Sequence, residues 1–163
     1  MKHASMTLAA ALCALGLGMG DALAAGTHAG GHGDEMAAGS PGKATAAART
    51  VDITLKETDE GMAIEPASLQ VKQGETIRFQ VTNTGEIEHE FVIDTHVRNQ
   101  EHKKIMAKFP EMEHDDPNSV RLDAGGEGEV VWTFSKAGTF EFACLIPGHY
   151  ESGMHGDISV GRK

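Results

Sequence analysis

Phe142-Ala143-Cys144-Leu145-Ile146-Pro147-Gly148-His149-Tyr150-Glu151-Ser152-Gly153-Met154 is the stretch on which the reading of this chain turns. It carries a thiol, an imidazole and a thioether at the spacing C-x4-H-x4-M. Phe140, Phe142 and Cys144 recur at every second position, the period of a half-buried strand, so Cys144 ends a strand. Pro147-Gly148 turns the chain and Gly153 lets it turn again. One loop can therefore aim three ligands at one point. A second imidazole, His89, opens the apolar run Phe91-Val92-Ile93 far upstream. In a β-sandwich, a strand end and a loop from another strand can meet at the same pole.

Two imidazoles, one thiolate and a weak thioether are the ligands of a type 1 copper centre. Thiolate and thioether are soft and favour Cu(I), whereas imidazole suits both oxidation states. A geometry between the preferences of the two states keeps reorganisation small when an electron moves. Zinc also takes Cys and His, but a thioether serves it poorly and the paired C-x2-C of structural zinc sites is absent. His96 and His102 compete for the upstream role. His89 is preferred because it stands at a strand start after Gly85, whereas the other two lie beyond the strand.

The rest of the chain from Val51 supports a sandwich. Val51 to Leu55 alternates apolar and polar residues, and Met62–Ile64 and Leu69–Val71 follow as short apolar stretches. Ile77, Phe79 and Val81 share one face, with Arg78, Gln80 and Thr82 on the other. Val130, Trp132 and Phe134 alternate after a Gly-rich turn, and Ile158 and Val160 close the pattern. Seven or eight short strands with Gly-rich turns predict an all-β fold, a Greek-key β-sandwich. Residues 97–109 differ: good helix formers, with Ile105 and Phe109 four apart, predict a short helical insertion. No phosphate loop, zinc-protease helix or strand–helix alternation is present.

The N-terminus reads as a secretory signal. Met1-Lys2-His3 is a basic start, residues 4–20 carry no charge, and Ala22-Leu23-Ala24 is a small-x-small cleavage site. The apolar run is too short to span a bilayer convincingly, and Leu12 before Cys13 argues against lipidation. The expected organisation is a signal peptide over residues 1–24, a flexible His/Met-bearing tail over 25–50 and one domain over 51–163. Cleavage would place the protein in the periplasm with no membrane anchor. Of 2 cysteines only Cys144 would remain, and a lone thiol in an oxidising compartment should be buried, paired or bound. The net charge of −10 lacks the basic footprint of nucleic-acid binding.

On these residues the chain resembles the cupredoxins, the small blue-copper proteins, over roughly Val51 to Gly161. The ligand loop is similar in length to that of rusticyanin. The long stretch Thr95–Asn118 and the His/Met-bearing tail look most like the periplasmic cupredoxins associated with bacterial copper resistance. The resemblance implies one type 1 copper held by His89, Cys144, His149 and Met154. It departs from the family where Glu90 replaces an Asn or Ser after the first His, and where Ala143 and Leu145 flank Cys144 without hydrogen-bonding side chains. Leu145, Ile146, Pro147, Gly148 and Tyr150 offer an apolar collar around His149 for a redox partner.

Further soft or borderline groups lie elsewhere: His28, His32 and Met36 in the tail, and His96, His102, Met106, Met112 and His114 in the insertion. They are candidate ligands of a second, weaker copper site; His155 follows the loop. The expected function is copper tolerance, by copper binding, electron transfer or both. The alternative is a dedicated respiratory electron carrier. A cytochrome or copper-handling protein is the expected partner, since an acidic surface steers a basic one. An enzyme is not expected: there is no H-x-H pair, and the dinuclear copper centre of cytochrome oxidase needs two Cys in one loop.

Overall fold

A computed structural model describes residues 36, 38–110, 112 and 116–162. All belong to the unit Gly31–Lys163. Two five-stranded sheets face each other. One has the order β1 (Ser40–Pro41), β8 (Glu127–Thr133), β5 (Thr76–Asn83), β2 (Arg49–Thr58), β3 (Gly61–Glu65). The other has the order β4 (Ser68–Lys72), β10 (His155–Gly161), β9 (Gly138–Ala143), β6 (His89–Asp94), β7 (Ser119–Leu122). β5 feeds β6, and β7 feeds β8, across from one sheet to the other, as a Greek-key sandwich requires.

Alternation builds the inner faces. Along β5, Ile77, Phe79 and Val81 are fully buried, while Arg78, Gln80 and Thr82 are half-buried on the other face. Arg78 pairs there with Glu129 of β8. Phe91 of β6 lies with its ring centroid 5.5 Å from Phe79 and 5.7 Å from Phe142, tying the two sheets beneath one pole.

β6 is buried at every position, which explains its unbroken apolar run. Its inner face meets the sandwich core. Its outer face is roofed by α1 (His96–Met106), where Val92, Ala143, Leu145 and Met106 form a second buried cluster. Burying a side chain of this size is worth about 1.5–3 kcal/mol. The Thr95 hydroxyl caps the helix by accepting from Arg98 N–H at 3.3 Å. Pro110 stands just beyond its end.

Three features differ from the sequence expectation. The eight strand regions expected are all found, but β1 and β7 are additional. Ser119–Leu122 alternates too weakly to stand out, yet pairs with β6 from His89↔Leu122 to Val92↔Ser119. The tail expected to run to Thr50 joins the domain earlier. Ala38 is fully buried, Met36 packs on the core, and Ser40 and Pro41 pair with Thr133 and Trp132. A few small residues suffice there because β8 offers an unpaired edge. The helix is found, but Ile105 and Phe109 do not face the core, with 46% and 59% exposure. Its buried residues are Asn99 and Met106. A buried carboxylate, Glu141, draws the polar face inward: Asn99 Nδ2 donates to Glu141 Oε2 at 2.9 Å.

Candidate metal centre

Three elements converge on one pole. β6 begins with His89, Cys144 directly follows β9, and the loop 145–154 carries His149 and Met154 back toward β10. The His89 and His149 Nδ1 atoms lie 3.2 Å apart, and Cys144 Sγ lies 3.4 Å from His149 Nδ1. Among the described residues this is the one group of three or more His, Cys, Asp or Glu side chains close enough to hold a metal ion, its ligand atoms within 4.8 Å of one another. His89, Cys144 and Met154 are fully buried and His149 is 9% exposed, so His149 is the ligand candidate nearest solvent.

The loop is pinned by its own backbone. His149 N–H donates to Ile146 O, Met154 N–H to His149 O at 3.2 Å, and Cys144 N–H to Met154 O at 3.0 Å. Met154 is thus tied through its main chain to both Cys144 and His149. Gly148 and Gly153 take φ of 90° and 107°, where only glycine is unstrained. At Gly153 a Cβ would also stand 2.8 Å from Met62 O.

Burial acts oppositely on the two donors, opposing the thiolate and favouring the neutral imidazole. Burial pushes the Cys144 thiol up to about 12, so in the metal-free protein it keeps its proton until a metal displaces it. Burial, with His89 nearby, lowers the His149 pKa and leaves the ring neutral with a lone pair to give.

Glu90 departs from the family pattern yet makes the corresponding ties. Its N–H donates to Cys144 Sγ at 3.3 Å, and its buried carboxylate accepts from Leu145 N–H at 3.4 Å. The cross-loop bond absent from the flanking side chains is made with a backbone donor instead. The collar is smaller than expected: Leu145 is fully buried under the helix, leaving Ile146 half-buried and Pro147 and Gly148 exposed.

Tyr150 leans away from the metal pole toward the helix. Its hydroxyl donates to Glu141 Oε1 at 2.9 Å, its ring stacks on His155 at 4.4 Å, and Lys103 Nζ sits 4.4 Å from the ring centroid. Burial and Glu141 push its pKa up to about 12.

The other candidate ligands among the described residues do not gather at the pole. His28, His32 and His114 lie outside the described residues. Met36 packs on the main core and Met106 is fully buried in the cluster under the helix. His96 Nδ1 is 3.0 Å from Glu141 Oε1. His102 and Met112 line a cavity of about 400 Å³ between the helix and β6.

Sequence reasoning missed Glu57, Asn83 and Glu141. Glu57 Oε1 lies 2.9 Å from His89 Nε2. Asn83 is fully buried, and its amide donates to Ile87 O, Leu122 O and Asp123 O at 2.8–3.1 Å and accepts from Gly85 N–H, shaping the loop that delivers His89. These contacts join positions up to 45 apart, and no local pattern announces them.

A two-sheet sandwich with two imidazoles, a thiol and a thioether gathered at one end defines a cupredoxin. Comparison with known proteins agrees. The sequence profile of copper binding proteins of the plastocyanin/azurin family matches residues 50–161, and the chain belongs to that family. The copper-resistant cuproprotein CopI of Rubrivivax gelatinosus is 48% identical over 136 residues, 83% of this chain and 79% of the relative. CopI of Pseudomonas aeruginosa is 34% identical over 77% of this chain and 83% of its own. Among solved structures, the dithionite-reduced auracyanin of Roseiflexus castenholzii superposes with a TM-score of 0.57 at 26% identity, over 71% of this chain and 98% of that one. The cofactor is copper, one type 1 ion, and the donor chemistry gathered at the pole fits it. The protein is not an enzyme. Multicopper oxidases share the fold alone, at no more than 17% identity and with less than half their length covered.

Proposed function

We propose that His89 Nδ1, Cys144 Sγ, His149 Nδ1 and the Met154 thioether hold one type 1 copper, and that the protein serves copper tolerance in the periplasm. The observation that carries the ligand assignment is the buried convergence of both Nδ1 atoms on Cys144 Sγ. Bound copper supplies a one-electron couple. The chain's part is to keep the site dry and fix its donors. The buried β6 and β9 ends exclude water, Glu90 N–H takes charge density from the thiolate, and backbone bonds hold loop 145–154. His149, nearest the surface, is the route for electrons or metal.

The role in tolerance is supported by two relatives named as copper-resistant cuproproteins along most of this chain. The periplasmic location is supported by the signal-like residues 1–24. Among the described residues no helix is long and apolar enough to cross a membrane. A strain lacking the protein should lose growth in high copper and regain it from the intact gene but not from a Cys144→Ser copy. Unchanged growth of the deletion strain contradicts the tolerance role. The second reading, a dedicated respiratory carrier, rests on the same site, and a growth defect without added copper would favour it. The intact mass of the exported protein tests cleavage after Ala24.

A further inference from the structure

We infer that Glu57, at the end of β2, is a positioning residue of the metal centre: it fixes the His89 tautomer and enriches the ring with negative charge. The inference deepens the copper reading above and rests on it. His89 Nε2 lies 2.9 Å from Glu57 Oε1. An ionised carboxylate only accepts hydrogen bonds, so Nε2 carries the ring proton and Nδ1 keeps its lone pair. Nδ1 is the nitrogen that faces His149 and the Cys144 pole. The tautomer that Glu57 selects is therefore the one a metal needs.

The carboxylate is itself seated. Glu86 N–H donates to Oε2 at 2.9 Å and Ile87 N–H to Oε1 at 3.3 Å. These bonds, led by that from Glu86, hold its pKa below the ordinary value against the pull of burial. Gly85 makes the room: a Cβ there would stand 2.4 Å from Oε2 and 2.7 Å from Oε1. The frame is stiff, because Glu57 is paired with Met62 in the β2–β3 ladder and Thr84 N–H donates to Leu55 O at 2.9 Å. Strand, loop and ligand thus meet on one carboxyl group.

A carboxylate behind a ligating imidazole makes the ring a stronger donor. Negative charge there favours the more highly charged metal, so Glu57 holds the reduction potential down. A carboxylate that merely staples the loop 84–87 to β2 would have no such effect. Glu57→Gln separates the two, since it keeps length and an acceptor oxygen but removes the charge.

The test is the midpoint potential of the copper-loaded parent and Glu57→Gln proteins, with visible spectra of both. The expected result is an intact thiolate-to-copper band in both and an affinity ratio shifted about tenfold toward Cu(I) in the variant, about 59 mV positive for one electron. Equal potentials in the two proteins overturn the inference. A parent that shows no thiolate-to-copper band instead overturns the copper reading on which it rests. A second measurement needs no variant. Nitrogen NMR of the metal-free parent in mildly alkaline buffer should show the His89 proton on Nε2. A proton on Nδ1 sinks the positioning role even if the Gln variant does not fold.

Discussion

Asn83 shows how much of the site depends on one side chain. Its amide nitrogen serves three carbonyls, and its oxygen takes Gly85 N–H. Asn83→Ala strands several buried polar groups at once, each worth about 1–3 kcal/mol. Chemical denaturation should show a loss of about 3 kcal/mol, and a loss near zero contradicts the account. At this scale the sequence was most informative where chemistry and strand pattern coincide. Cys144, His149 and Met154 are legible from one loop. His89 is legible as the histidine at a strand start, and the structure places it 3.2 Å from His149. Glu57 is not legible, because an acidic residue ending an amphipathic strand looks like any solvated charge. Its meaning comes from a contact 32 positions away. Glu90 read as a departure, but its N–H reaches Cys144 Sγ and its carboxylate takes the Leu145 N–H; the donor in each bond is a backbone group, which no side-chain pattern reveals.

At the scale of elements, the turn between β4 and β5 joins the two sheets through one carboxylate. Glu75 Oε2 accepts from Lys72 N–H at 2.8 Å, and Oε1 accepts from Arg49 Nε at 2.9 Å. The same Arg49, from β2 in one sheet, donates to Gln70 O of β4 in the other at 2.6 Å. Burial alone would raise the Glu75 pKa, but Lys72 N–H and Arg49 outweigh it and the net shift is downward. A depressed folded pKa gives stability that is present above the unfolded value and lost as pH falls through the folded one. Glu75→Gln should therefore cost about 1 kcal/mol at neutral pH. The gap to the parent should close as pH drops below the carboxylate range near about 4. A gap independent of pH contradicts the charged role. The same scale shows where element reading failed. β7 and β1 are edge strands whose partners, not their own sequences, make them strands. The helix turns Asn99 inward because Glu141 of β9 waits there, so its apolar Ile105 misleads, as does Phe109 beyond its end at Met106.

For the whole molecule, copper and folding are linked. The site exists only when β6, β9 and the 145–154 loop are assembled, so metal binds the native state more tightly than the unfolded chain. Copper at a thousandfold over its dissociation constant adds at most about 4.1 kcal/mol. Thermal scans should show a higher Tm with copper, reversed by a chelator and absent in Cys144→Ser; an unmoved Tm in the parent contradicts native-state binding. The sandwich as a whole was legible because its inner faces alternate so regularly along β5, β8 and β9. The domain's N-terminal limit was not, because Ala38, Ser40 and Pro41 add no hydrophobic signal and owe their order to the β8 edge. Everything proposed for this protein turns on a copper–thiolate site at the pole of the sandwich. The most direct test is to load the protein with Cu(II) and record its visible and paramagnetic spectra. An intense thiolate-to-copper band should appear and should vanish in Cys144→Ser. Copper bound without that band, or a band that survives the substitution, would contradict such a site.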